Sequence, residues 1–128
     1  MKKLTEAEKV RHSAAYDAIS PMLQYIETSI CTLLKAALTP ERAEAAVTIV
    51  NMEVWSGIDD RIEDMLRDTQ KDRELVAKHI HQMLSAVTGR MYTVIDAFVE
   101  PVRAEANKNI ASRIVWRQAN MTIEALKK

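Results

Sequence analysis

The chain has little glycine, proline or cysteine: its 128 residues include two glycines, three prolines and one cysteine. An all-β sandwich of this length needs many tight turns, and two glycines cannot supply them. One cysteine excludes a scaffold held by disulfides, and the low content of glycine and proline excludes a collagen-like chain or a low-complexity linker. The remaining fold class is all-α.

The sequence also has no net charge, because 18 lysines and arginines balance 18 acidic residues. With 48% of its residues hydrophobic, the chain carries too much apolar mass to be disordered. No run of apolar residues is long enough for a transmembrane helix, and the two N-terminal lysines are not followed by the apolar segment of a signal peptide. We therefore expect one cytoplasmic helical-bundle domain over residues 1–128, with no membrane association.

Start signals and apolar periodicity predict the first long helix. Thr5 and Glu8 have the spacing of a capping box, and the helix is expected to run to about Ala37. Pro21 lies in its middle and removes one backbone hydrogen bond. Because the apolar face keeps its phase across Pro21, we predict a kink there and not a break.

Three further helices are predicted, joined by short connections. Thr39 and Pro40 are typical of an N-cap and a first helical residue, and the second helix is expected to continue through Gly57 to about residue 68. The third covers about residues 72–99, and the fourth starts at Pro101, because the residue before a proline leaves the helical region. Short connections place consecutive helices antiparallel, which predicts an up-down-up-down four-helix bundle.

The inner face of each helix follows from its periodicity. In the first helix the face consists of Ala15, Ile19, Met22, Tyr25, Ile26, Ile30, Leu33 and Ala37. In the second it consists of Ala43, Val47, Val50, Val54, Ile58, Ile62, Met65 and Leu66. In the third it consists of Val76, Ile80, Met83, Leu84, Val87, Met91, Val94, Ile95 and Phe98. The apolar residues of the fourth spread over a wide arc: Ala104, Ile110, Ala111, Ile114, Val115, Ala119, Met121 and Leu126. These wide arcs predict a homo-oligomer, most simply a two-fold dimer.

One polar residue, Asn51, projects onto the inner face of the second helix between Val47 and Val54. It is expected to be a buried amide with a hydrogen-bond partner. The alternative is a polar residue that sets helix register or oligomeric state. Cys31 is expected to be a plain reduced thiol.

The charges are unevenly distributed along the chain. Residues 39–70 hold three arginines and eight acidic residues, a net charge of −5, whereas residues 101–128 hold six basic and two acidic residues, a net charge of +4. The bland interpretation is that the second and fourth helices neutralise each other. The alternative is a nucleic-acid surface on the fourth helix, where basic, aromatic and amide side chains can contact phosphates and bases. Its candidate residues are Asn109, Arg113, Trp116, Arg117 and Asn120.

Arg73 and His79 give a second alternative. Their spacing resembles the loose Arg-x(4–6)-His pattern of the HEPN ribonucleases, which are small helical bundles and often dimers. That resemblance implies that Arg73 and His79 act on RNA phosphate across a dimer interface. His79 itself projects to the solvent side of the third helix.

No other group of residues has the spacing of a catalytic site, a metal centre or a phosphate-binding loop. His79 and His81 are two residues apart on a helix, so they cannot share a metal ion. We expect no metal, no cofactor, no catalytic residues and no small-molecule substrate. The leading hypothesis is a non-enzymatic protein-interaction module, of the kind found among small bacterial or phage regulatory, adaptor or immunity proteins, acting as a homo-oligomer. Its protein partner cannot be named from the sequence.

Overall fold

The computed structural model describes residues 5–69 and 75–127, and within those ranges every regular element is an α-helix. The helices are α1 (Glu6–Ala37), α2 (Pro40–Trp55), α3 (Ile58–Thr69), α4 (Leu75–Phe98) and α5 (Pro101–Lys127). The all-α prediction is confirmed. Helices α2 and α3 together occupy the place of the predicted second helix, which is therefore broken and not continuous.

The helices contact one another as a closed ring. Both α1 and α4 pack against α2, α3 and α5. The α2–α3 pair and α5 therefore face each other across the diagonal of the bundle. The two-residue connections at 38–39 and 99–100 leave room only for antiparallel neighbours. These contacts are those of an up-down bundle, as predicted.

Helix α1 is continuous through Pro21, whose ring lies on the exposed side. The helix starts directly after Thr5, as predicted, and the Lys9 backbone N–H donates to the Thr5 carbonyl at 2.9 Å. Its buried stripe is turned slightly from the predicted face: Tyr25 is 55% exposed and Leu33 only half-buried. The fully buried residues repeat at intervals of three and four: Ile19, Leu23, Ile26, Ile30 and Leu34.

Helix α2 begins where the Thr39–Pro40 signal predicts, although the Thr39 side chain makes no capping hydrogen bond. Its interior stripe consists of Ala43, Ala46, Val50 and Val54. At about 100° per residue, Asn51 lies one step off this stripe. Asn51 is consequently exposed, and the prediction of a buried amide is wrong.

The break between α2 and α3 occurs at Ser56 and Gly57. Ser56 has an extended backbone, and Gly57 has φ +72°, a left-handed conformation that glycine adopts without steric cost. The buried residues Val54, Ile58 and Ile62 keep a spacing of four across the break. Apolar periodicity therefore does not reveal this interruption.

Side chains from both neighbouring helices contact the end of α2. The indole Nε1 of Trp55 donates to Glu27 Oε2 of α1 at 2.9 Å. On the other side, Arg90 Nε of α4 donates to the Glu53 carbonyl at 3.0 Å, and it lies 3.4 Å from Glu53 Oε2. The Glu53 carbonyl therefore accepts two hydrogen bonds, one from Arg90 and one from the Ser56 backbone N–H at 3.4 Å.

The last two helices complete the core. The predicted inner face of α4 is buried from Ile80 to Ile95, with Phe98 half-buried. In α5 the hydrophobic residues of the buried stripe are mostly small: Ala104, Ala111, Val115, Ala119 and Ile123. Ile110 and Met121, which belong to the wide apolar arc of the fourth predicted helix, are 42% and 58% exposed. The side chains of Leu66, Val76 and Leu126 lie outside the described part.

We predict opposite effects of alanine at the two glycines. Gly57→Ala forces an L-residue into a left-handed conformation and should lower the free energy of unfolding by about 1 kcal/mol. A Cβ at position 57 meets nothing within 4 Å, so steric contact adds no cost. Urea denaturation of the two proteins measures the difference.

Gly89→Ala is the matched control. Gly89 lies inside α4, and a Cβ there also meets nothing within 4 Å. Alanine at this position should raise the free energy of unfolding by about 0.5–1 kcal/mol. Changes of the same sign in the two variants would contradict the left-handed turn at Gly57.

Candidate functional site

The outward side of α5 brings together the residues predicted to contact nucleic acid. Asn109, Arg113, Arg117 and Asn120 are all exposed, and successive members lie three or four residues apart, so they follow one side of the helix. Trp116 is half-buried at the edge of this side and packs against the core. We use the term α5 face for the exposed side chains Arg103, Asn109, Ile110, Arg113, Arg117, Asn120 and Met121.

A histidine of α4 contacts the tryptophan of α5. The rings of His81 and Trp116 are 5.6 Å apart between centroids and stand at 83°, an edge-to-face arrangement. His81 is not among the residues predicted for this surface, because no local spacing connects positions 81 and 116. Their contact depends on the packing of α4 against α5.

Arginines supply the available positive charge on the α5 face. Lys108 is engaged elsewhere: its Nζ lies 2.9 Å from Asp96 Oδ1 and 3.7 Å from Glu105 Oε2. The hydrogen bond to Asp96 raises the pKa of Lys108. Within the described residues, Arg103, Arg113 and Arg117 are exposed and form no ion pair.

The opposite corner of the bundle has excess negative charge. Two of its arginines turn towards α4: Arg42 Nη2 donates to the Phe98 carbonyl at 2.7 Å, and Arg61 Nη1 donates to Gln82 Oε1 at 3.1 Å. Glu53 pairs with Arg90. Five other acidic side chains, which we call the acidic edge, have no ion pair in the described part: Glu41, Glu44, Asp59, Asp60 and Glu63.

Because the α2–α3 pair and α5 lie on the diagonal, the acidic edge and the α5 face do not neutralise each other. The simpler interpretation of the charge asymmetry is direct pairing of the second and fourth helices. The packing does not produce this pairing. The molecule presents surfaces of opposite sign at two opposite corners. Surfaces of this kind attract charged partners and orient them during approach.

Large apolar side chains lie among the arginines of the α5 face. Ile110 and Met121 are eleven residues apart, which places them on one flank three turns from each other. Trp116 and Lys108 contact α4 from the other flank. Ile110 and Met121 therefore border the seam between α5 and α1.

A shallow groove of about 470 Å³ runs between the C-terminal end of α1 and the start of α2. Its floor is mostly apolar, and Glu44 of the acidic edge stands at its border. The lining residues are Lys35, Pro40, Ala43, Glu44, Val47 and Thr48.

The two residues of the ribonuclease alternative are not seen together. Arg73 lies outside the described residues. His79 is only 6% exposed, so the prediction that it projects to solvent is wrong. His79 precedes Arg90 by eleven residues, so both lie on the same flank of α4. That flank packs against the α2–α3 pair, which covers His79.

Asn51 and Cys31 meet between α1 and α2. The Cys31 thiol donates a weak hydrogen bond to Asn51 Oδ1 over 3.8 Å. Burial of Cys31 raises the pKa of the thiol, and the negative charge of Glu27 raises it further, opposed by Lys35. A protonated, buried thiol is a poor nucleophile.

No helix in the described ranges is long and apolar enough to cross a membrane. Nor does the same part of the chain bring together three or more histidine, cysteine or acidic side chains that could hold a metal ion. Comparison with known protein families, with curated proteins and with solved structures found no match to this chain.

We predict that the Cys31 thiol reacts slowly in the folded protein. Its raised pKa keeps it protonated at pH 8, so modification by a thiol reagent should be at least about tenfold slower than in urea, where the free thiol has a pKa of about 8.5. A reagent that releases a coloured thiolate when it reacts with a cysteine allows both rates to be measured by absorbance. Equal rates would contradict the burial of Cys31.

The raised pKa of the Cys31 thiol also affects the stability of the protein at high pH. Above about pH 8.5 the unfolded thiol ionises before the folded one, so the unfolded state binds fewer protons and the free energy of unfolding falls. Below that pH the contribution is fully retained. Cys31→Ala removes this contribution, and urea denaturation at pH 7 and 9.5 should show a smaller loss for the variant than for the wild type.

Proposed function

We propose that this protein is a protein-interaction module that acts as a homo-oligomer through the α5 face. The observation that carries the proposal is the exposure of Ile110 and Met121 beside Arg113 and Arg117. Apolar side chains give contact area, and arginine is enriched at protein interfaces because it combines an apolar stem with a planar group of donors.

The packing of α5 explains why these side chains are available. Small residues in its buried stripe let the helix approach α1 and α4 closely, and the larger Ile110 and Met121 remain at the seam. Association of two chains would remove this apolar surface from water, which is favourable in proportion to the area buried.

Removing the two apolar side chains should weaken association. Ile110→Ser with Met121→Ser deletes exposed apolar area at the proposed contact, and the dissociation constant should rise on the order of tenfold. Sedimentation over a range of micromolar concentrations measures it. Because both side chains are exposed, the free energy of unfolding should change by less than about 1 kcal/mol.

Val10→Ser is the matched control for this experiment. Val10 is 68% exposed on α1 and is not one of the side chains of the α5 face, so the variant should associate like the wild type. A wild-type protein that stays monomeric at these concentrations would contradict the proposed homo-oligomer. Equal effects of Val10→Ser and the double variant would contradict the role of α5.

A second candidate function is nucleic-acid binding by the same helix. It is favoured by the exposed arginines and amides of α5 and by their distance from the acidic edge. Arg113 and Arg117 would contact phosphates, while Asn109, Asn120 and the exposed part of Trp116 would contact bases. The total charge of zero limits the attraction at long range.

For this candidate we predict a loss of salt dependence in Arg113→Ala with Arg117→Ala. Removing two phosphate contacts should lower the slope of log K against log salt by about 2 on duplex DNA. Fluorescence anisotropy with mixed-sequence RNA and DNA at 50 and 200 mM salt measures it. Lys9→Ala with Lys78→Ala removes the same charge elsewhere and is the control. Absence of wild-type binding at 50 mM salt would reject nucleic-acid binding.

A further inference from the structure

We propose that the α5 face of one copy docks on the acidic edge of a second copy, over the groove between α1 and α2. This inference rests on the proposed homo-oligomer and specifies which surfaces meet. The contact joins two different surfaces, so it is head-to-tail, and the assembly grows by repetition or closes into a ring.

The charges of the two surfaces are complementary. Arg103, Arg113 and Arg117 on α5 lie on one side of the helix over about 21 Å, at 1.5 Å per residue. The acidic edge runs along α2 and α3, from Glu41 to Glu63. Neither set has an ion pair in the described part of its own chain. The diagonal arrangement prevents pairing within one molecule and permits it between two.

The apolar parts of the two surfaces also match. The α5 face carries Ile110 and Met121 as projecting side chains. The α1–α2 groove offers an apolar floor with Glu44 at its border, and Met52 is exposed further along α2. An aliphatic side chain in this groove would bring a neighbouring arginine close to Glu44. Projecting apolar groups flanked by arginines on one side thus meet a concave apolar surface, lined also by Glu44 and Lys35, on the other.

A two-fold contact through either surface alone would bring like charges together. If α5 packed on α5 of the partner, the three arginines of one face would meet those of the other, with Glu124 as the exposed carboxylate on that side of the helix. Like-charge juxtaposition at an interface costs several kcal/mol. The head-to-tail contact avoids this repulsion. It therefore revises the simplest expectation of a two-fold dimer.

The size of the contact predicts a weak association. Helix α5 has 27 residues and is about 40 Å long, and a helix is about 10 Å wide, so the docked area is roughly 400 Å² per partner. Stable complexes bury about 1,200 Å² or more in total. Assembly should therefore depend on concentration in the micromolar range and weaken as salt screens the charges.

A charge-exchange experiment tests the pairing. Variant A, Arg113→Glu with Arg117→Glu, makes the α5 face acidic. Variant B, Glu44→Lys with Asp60→Lys and Glu63→Lys, reverses three of the five carboxylates and makes the opposite edge basic. Each variant alone should self-associate on the order of tenfold more weakly than the wild type, because both of its surfaces then have one sign. An equimolar mixture should recover wild-type association, because every contact between A and B is again complementary.

Variant C, Lys9→Glu with Lys78→Glu, controls for net charge. It carries the same net charge of −4 as variant A, but its substitutions lie on exposed positions of α1 and α4 outside both surfaces. C should self-associate better than A. In a mixture of B and C, C still associates with itself, and B binds only a free acidic edge of C and ends the growth there, because the altered edge of B has no acidic α5 face to bind.

Sedimentation velocity of each protein and mixture gives the result, with far-UV circular dichroism to confirm that every variant is helical. Recovery in the A and B mixture, with larger species than in the B and C mixture, supports the docking. If variant A by itself and variant B by itself each self-associate at wild-type strength, the proposed pairing of the two surfaces is overturned, but the homo-oligomer is not. A wild-type protein that is monomeric throughout overturns both.

Discussion

The short connections between antiparallel helices are the constraint on which the surface of this protein depends. Two-residue links at 38–39 and 99–100 force neighbours to run in opposite directions and set the ring order of the bundle. That order places the acidic α2–α3 pair and the basic α5 at opposite corners. A chain with no net charge thus becomes a molecule with two surfaces of opposite sign, which internal pairing cannot remove.

Helix α5 shows how core packing shapes an exterior surface. The small residues of its buried stripe permit close approach to both α1 and α4. Bulkier aliphatic side chains at the border of the stripe have no interior volume to fill and remain partly in water. The arginines beside them form no ion pair in the described residues, and Asp96 and Glu105 engage Lys108. A mixed apolar and cationic surface results from the way the interior is filled.

The break at Ser56 and Gly57 is a feature that the local apolar pattern does not predict. Apolar spacing continues from Val54 to Ile62, so periodicity predicts one helix. The left-handed backbone of Gly57 is compatible with that spacing, and Trp55 and Arg90 hold the end of α2 through contacts with α1 and α4. His79 is buried because a neighbouring helix covers its flank, and Asn51 is exposed because the stripe of α2 lies one helical step away. The burial of His79 cannot be predicted from its own helix alone.

The scarcity of glycine and the spacing of apolar residues were by themselves sufficient to predict an all-α up-down bundle and most of the core of α4. The signals at Thr5, Pro40 and Pro101 were sufficient to predict where α1, α2 and α5 start. These features depend on local backbone preferences and on periodicity, which a linear sequence records. The sequence also identified the exposed basic and amide side chains of α5 as a candidate surface. Only the tertiary structure decided that this surface lies diagonal to the acidic one, that His81 contacts Trp116, and that Ile110 and Met121 face outward. Those properties depend on which helices are neighbours and how closely they pack, and both are set by contacts between residues far apart in the chain.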